Sequence, residues 1–154
     1  VNIRHMARTD GREWAHVTSD GRRNRGPRWS PDGKRIAFSS ARGGDNEIWL
    51  ANADGSELRQ ATFTRQNAVW PVWSPDGKRL AFTVFGERSY ILDADREWTA
   101  QSPQALPDPG AEVSFSAWSW SRDGKSIAGA LQDKRDGTFP GIAAYSVESA
   151  ALRG

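Results

Sequence analysis

Trp29-Ser30-Pro31-Asp32-Gly33-Lys34-Arg35-Ile36-Ala37-Phe38 returns as Trp73-Ser74-Pro75-Asp76-Gly77-Lys78-Arg79-Leu80-Ala81-Phe82, changed only where Ile36 becomes Leu80. A looser third copy reads Trp120-Ser121-Arg122-Asp123-Gly124-Lys125-Ser126-Ile127-Ala128-Gly129. Trp73 follows Trp29 by 44 residues, and Trp120 follows Trp73 by 47. Each copy has the same local logic. Pro presets φ for a tight turn, Asp accepts hydrogen bonds within it, and Gly takes the left-handed position. The short run after the turn alternates in character and reads as a strand. The unit is a β-hairpin, repeated.

Working outward, Glu47–Asn52 reads as a third strand after the turn-rich Ala41–Asn46. Asp54-Gly55 turns it into a fourth, Glu57–Thr62. A period in the forties built of four short strands predicts blades of a β-propeller. The expected fold class is all-β: four-stranded antiparallel blades, about three of them plus an N-terminal half-blade, in an incomplete ring. Residues 1–18 form the half-blade, because a shift of 44 lays Asp10-Gly11 on Asp54-Gly55 and Met6-Ala7 on Leu50-Ala51. Whole blades follow at 19–62, 63–107 and 108–154.

In the second blade the strands are placed at Trp70–Ser74, Arg79–Phe85 and Arg88–Asp93. Its fourth strand is assigned to Arg96–Thr99, because Pro103, Pro107 and Pro109 interrupt the stretch after it. In the third blade Ser114–Ser121 sets Trp118 and Trp120 on one face. Ser126–Leu131 and Ile142–Val147 come next, and Ala150–Arg153 begins a fourth strand. An open arc leaves an apolar face at each end, so ring completion by further blades or by self-association is expected.

Bulk composition narrows the function. The 154 residues contain no cysteine, which excludes disulfides and Cys-based metal or redox sites. No apolar run approaches the roughly 20 residues of a membrane span, and no charged-then-apolar leader is visible at the N-terminus. The formal charge is +2. Basic residues crowd the first part, with Arg4, Arg8, Arg12, Arg22, Arg23, Arg25 and Arg28. No aromatics interleave Arg22–Arg28, and the repeat places that segment in an inter-blade loop. It therefore reads as a solvated surface, and no nucleic-acid partner is expected.

Catalytic patterns are missing from the sequence. There is no Gly-x-Ser-x-Gly elbow, His5 and His16 are the only histidines, and kinase signatures are absent. Asp32, Asp76 and Asp123 occupy equivalent turns, as do Asp10 and Asp54, so they serve the fold before any carboxylate chemistry. Asp45-Asn46-Glu47 offers too few oxygens for calcium and reads as a plain loop. No cofactor or metal is expected. Trp29, Trp73 and Trp120 recur with the period together with Gly33, Gly77 and Gly124, and are read as inter-blade core and turn residues. Trp70, Trp98 and Trp118 do not recur, which makes them candidates for a partner-contact surface.

Trp-Ser-Pro-Asp-Gly-Lys-Arg-Ile-Ala-Phe, followed by Glu47-Ile48-Trp49-Leu50-Ala51-Asn52-Ala53-Asp54-Gly55-Ser56, resembles the TolB-type β-propeller repeat, which is WD-like but lacks the Trp-Asp dipeptide. Such blades occur in periplasmic TolB, in propellers of prolyl-oligopeptidase-like peptidases and beside bacterial receptor-like kinases and regulators. The resemblance implies a non-enzymatic interaction or sensing scaffold for a protein partner, in a bacterial periplasmic or extracytoplasmic setting. The alternative it implies is an accessory propeller whose catalytic domain lies outside these residues.

Overall fold

The computed structural model describes residues 5–7, 13–15, 17–18, 21 and 23–147. All but one of its elements are strands. β1 (His5–Ala7) and β2 (Glu13–Ala15) pair antiparallel as a hairpin. The first larger sheet runs in chain order through β3 (Asn24–Trp29), β4 (Arg35–Ser40), β5 (Glu47–Asn52) and β6 (Arg59–Gln60). The second repeats it with β7 (Ala68–Trp73), β8 (Arg79–Val84), β9 (Ser89–Asp93) and β10 (Gln104–Ala105). The third has β11 (Val113–Trp120), β12 (Ser126–Asp133) and β13 (Gly141–Ser146). Each is an up-and-down antiparallel blade. The three lie side by side in an open arc, with β3 beside β7 and β7 beside β11.

The repeated turn explains the repeated hairpin. In the first blade the Ser30 hydroxyl donates to Asp32 at 2.6 Å, and the Lys34 amide donates to the same carboxylate oxygen at 3.0 Å. Ser30 Oγ in turn accepts the Arg35 amide at 2.9 Å. Ser74, Asp76, Lys78 and Arg79 reproduce these bonds, as do Ser121, Asp123, Lys125 and Ser126. Gly33, Gly77 and Gly124 sit at φ +70, +69 and +75°, where a side chain would be strained.

Packing between blades follows from strand alternation. On β8, Leu80 and Phe82 face the first blade and join Ala37, Ile48, Leu50 and Trp73 in one core. Ala81 faces the other way, into a second core with Ile91, Phe115, Trp120 and Ile127. Trp73 and Trp120 are buried as expected. The Trp73 indole donates to the Arg28 carbonyl at 3.1 Å, and Arg35 of the first blade lies over its ring. Arg79 lies over Trp120 in the same way.

Trp29 departs from the inter-blade core expectation: it is 60% exposed. The two buried tryptophans are each covered by an arginine of the blade before them. Among the described residues no guanidinium stacks on Trp29.

Two further expectations are corrected. Arg96–Thr99 is not the fourth strand of the second blade; a single 3-10 turn, Trp98–Ala100, stands there, and β10 is the fourth strand. The Gln101 side chain accounts for this. Its amide accepts from the Asp93 N–H at 2.8 Å and donates to the Asp93 carbonyl at 3.0 Å, so it takes the place of a strand partner. In the third blade Trp118 and Trp120 do not share a face. A bulge between Ala117 and Ser119 inserts Trp118 as an extra residue, leaving it 47% exposed while Trp120 is 9% exposed. The third blade shows three strands among the described residues; Ala150–Arg153 lies outside them, as does the Asp10-Gly11 turn.

Candidate functional site

Bulges recur on the innermost strand of each blade, between Arg25 and Arg28, Val69 and Val72, and Ala117 and Ser119. In the first blade the bulge is Gly26-Pro27, with Gly26 at φ +58°. In the second it is Trp70-Pro71, and Trp70 holds nearly the same φ, +55°. A bulky aromatic thus occupies a backbone conformation suited to glycine. That costs roughly 1–2 kcal/mol and marks a position whose side chain is aimed by its surroundings.

The ring of Trp70 meets Phe85 edge-on at 5.9 Å and Trp118 edge-on at 6.3 Å; Trp118 in turn meets Phe139 at 6.5 Å. Four aromatic rings form a continuous row across the second and third blades. Phe85, Trp118 and Phe139 are about half exposed, so the row is solvent-facing rather than core. Grooves flank Trp70 on two sides. One, of about 270 Å³, is lined by Arg25, Asn46, Asn67 and Phe85; the other, of about 320 Å³, by Arg28, Pro71 and Trp118.

Two of the sequence candidates, Trp70 and Trp118, are therefore brought together. Trp98 is not. It is half-buried against the core shared by the first two blades, beside a separate groove with Tyr90, Phe63 and Pro103. Phe85 and Phe139 were missed because each lies at a strand end or in a loop, where no period applies. A signal for Trp70 did exist: the 44-residue shift sets it on Gly26.

Arg25 differs from expectation. It belongs, with Arg28, to β3, an inner strand, and not to an inter-blade loop. Both are exposed and each lines one of the grooves beside Trp70. Arg4, Arg8, Arg12 and Arg22 lie outside the described residues, as does His16.

The acidic residues are engaged locally. Asp32, Asp76 and Asp123 titrate below the ordinary carboxylate range, first because a serine hydroxyl donates to each and then because a lysine amide does. Asp54 is lowered in the same way by Ser56. Glu47 is buried and accepts from the Thr62 and Thr64 hydroxyls and from the Arg65 amide, which pins the link between the first two blades. Asn46 donates to Asn67 at 2.6 Å. Among the described residues no cluster of three metal-ligating side chains forms.

The sequence profile of the TolB beta propeller domain matches residues 3–112. TolB from Acinetobacter baumannii superposes with a TM-score of 0.65 at 27% identity, covering 93% of this chain and 34% of that one. A putative TolB from Agrobacterium tumefaciens gives a TM-score of 0.68 at 18% identity, over 88% of this chain and 49% of that one. An oligogalacturonate lyase from Vibrio parahaemolyticus gives 0.67 at 16% identity, over 88% and 37%. The chain thus spans between a third and a half of the length of these structures. No curated protein sequence matches it.

Proposed function

Because the chain belongs to the TolB β-propeller family, we propose that it acts as a non-enzymatic binding module that presents the Trp70–Phe85–Trp118–Phe139 row to a protein partner. The observation that carries this reading is the exposed row itself, anchored by a tryptophan held in a left-handed conformation. Aromatic and arginine side chains are enriched where proteins meet, since they bury much area and keep a polar or cationic handle. Arg25 and Arg28 beside the row supply the cationic part and favour an acidic segment of the partner. The non-enzymatic reading is supported by the bonds that occupy Asp32, Asp76, Asp123 and Glu47 within the scaffold. An extracytoplasmic bacterial setting is the one the TolB likeness favours.

Site-directed photo-crosslinking in the source cells tests the proposal. A photoreactive phenylalanine analogue at position 118 is expected to trap one defined protein species, while the same analogue at the exposed rim residue Ser56 traps none. Equal products from both positions would refute the reading.

A further inference from the structure

The groove beside Trp98 has a chemistry of its own. It shares no lining residue with the grooves flanking Trp70. About 270 Å³ in volume, it is walled by Phe63, Tyr90, Trp98 and Pro103, with Gln66 and Glu87 at its edge. Its four aromatics, Phe82 of β8 included, come from four separate segments. Phe63 projects from the link between the first two blades and is 51% exposed. Tyr90 stands on β9, where its ring is stacked on Phe82 at 5.6 Å with an interplanar angle of 20°. Trp98 is carried by the 3-10 turn that Gln101 holds in place through Asp93.

The charge of the groove has one sign. Glu87 is the only charged side chain among its lining residues, and it is exposed. The Tyr90 hydroxyl is pushed above its ordinary pKa by burial and then by the charge of the Glu87 carboxylate. Arg88, its neighbour in sequence, reaches instead toward Asp108 at 3.8 Å. Arg65 lines an adjoining depression, with Glu47 and Gln60, on the other side of the shared Phe63.

Ring faces carry negative potential, and a set of them with one carboxylate favours a bulky, weakly hydrated cation. A primary ammonium or a guanidinium would leave several N–H donors facing apolar rings. A methylated ammonium has no such donors, and its methyl groups suit the apolar walls. The volume suits a small head group rather than a drug-sized ligand. We propose that this groove is an aromatic cage for a quaternary ammonium cation of the choline class. Glycine betaine is disfavoured because its own carboxylate would have to lie near Glu87 without a cation to pair with.

Isothermal titration of the whole chain provides the test, with four probes: choline, tetramethylammonium, glycine betaine and 3,3-dimethylbutan-1-ol, the uncharged carbon analogue of choline. Choline and tetramethylammonium are expected to bind, with the uncharged analogue weaker by about tenfold or more. Glu87→Gln should weaken both cations several-fold while leaving far-UV circular dichroism unchanged, because the residue is exposed. Trp98→Leu should abolish binding. Equal affinity for the uncharged analogue, failure of choline to bind the wild-type chain, or unchanged affinity in the folded Glu87→Gln variant would each overturn the assignment. Since Trp118 does not line this groove, Trp118→Ala should keep choline binding, and Trp98→Leu should keep partner cross-linking from position 118, so the two proposals fail separately.

Discussion

The guanidinium of Arg35 stands 4.8 Å from the ring centre of Trp73, and the next blade repeats the pair as Arg79 over Trp120 at 4.9 Å. Arg35 also donates to the Gly77 carbonyl at 3.0 Å and pairs with Asp95 at 2.6 Å. One side chain thus ties the turn of the first blade to the ring, the turn and the outer loop of the second. The Asp95 pair is solvated and adds little by itself. The stacked cation over a largely buried ring contributes more.

Removing either partner should reveal this joint. Trp73→Ala is expected to cost about 3–5 kcal/mol, as a large-to-small change in a packed core. Trp118→Ala, at a half-exposed ring with two aromatic contacts, should cost less, about 1–2 kcal/mol. A double-mutant cycle of Arg35→Ala with Trp73→Leu should give a coupling of about 1 kcal/mol. Urea unfolding measures all three, and equal midpoints for the two alanine variants would contradict the packing.

Gly129→Ala should destabilise by about 1–3 kcal/mol or more, because overpacking next to backbone has no cheap relief. A Cβ at Gly129 would lie 2.0 Å from the Ser116 carbonyl oxygen and 2.9 Å from the Phe115 ring. The matched control is Gly141→Ala, where nothing stands within 4 Å of the added carbon. That variant should stay within about 0.5 kcal/mol of the wild type. Thermal unfolding of the pair decides the matter.

Trp70→Gly separates stability from recognition. Glycine removes roughly 1–2 kcal/mol of left-handed strain, while the lost edge contacts to Phe85 and Trp118 are worth about 0.5–1.5 kcal/mol each. The net change should be within about 2 kcal/mol. Partner cross-linking from position 118 should nevertheless disappear. Retained cross-linking would show that Trp70 is not part of the contact surface.

Acid should weaken the fold through the repeated turn. Asp32, Asp76 and Asp123 have folded pKa values below the ordinary 3.8. The unfolded chain therefore takes up protons first as pH falls. This stabilisation is intact above about pH 4 and is lost as pH drops through the lowered folded values. The urea midpoint should fall between about pH 5 and about pH 2.5, and fall less in the triple variant Asp32→Asn, Asp76→Asn, Asp123→Asn. A wild-type midpoint that does not move over this range would count against the turn bonds.

The hairpins were legible because their causes are local. Ser, Asp and Gly at fixed spacing make the same bonds wherever they occur, and β5 falls on the expected bounds. What could not be read depends on partners distant in sequence. Gly129 stands where the other blades have Phe38 and Phe82, and the ring of Phe115, from the neighbouring strand, lies against it. The 3-10 turn carrying Trp98 depends on the choice made by one amide side chain, Gln101. Trp29 matches Trp73 in every local respect, yet its burial is decided by what covers it. Of the candidate surface, Trp70 and Trp118 were visible as exceptions to the repeat. The rings that join them into a row, Phe85 and Phe139, were not.

The first two larger sheets carry a core on each face, but those of the second are both large: Leu80 and Phe82 look one way, Ala81 and Ile91 the other, while the second face of the first sheet buries a smaller cluster of Ile36, Phe38 and Ala51. Opening the second sheet locally must strip two large seams at once, whereas the sheet before it has one large seam and one small one and the sheet after it a single seam. Stability in such a stack is a chain of nearest-neighbour couplings, graded along the arc. Amide hydrogens of β8 should then be the slowest in the chain to exchange with deuterium. Protection should decline from there toward β3 on one side and β13 on the other.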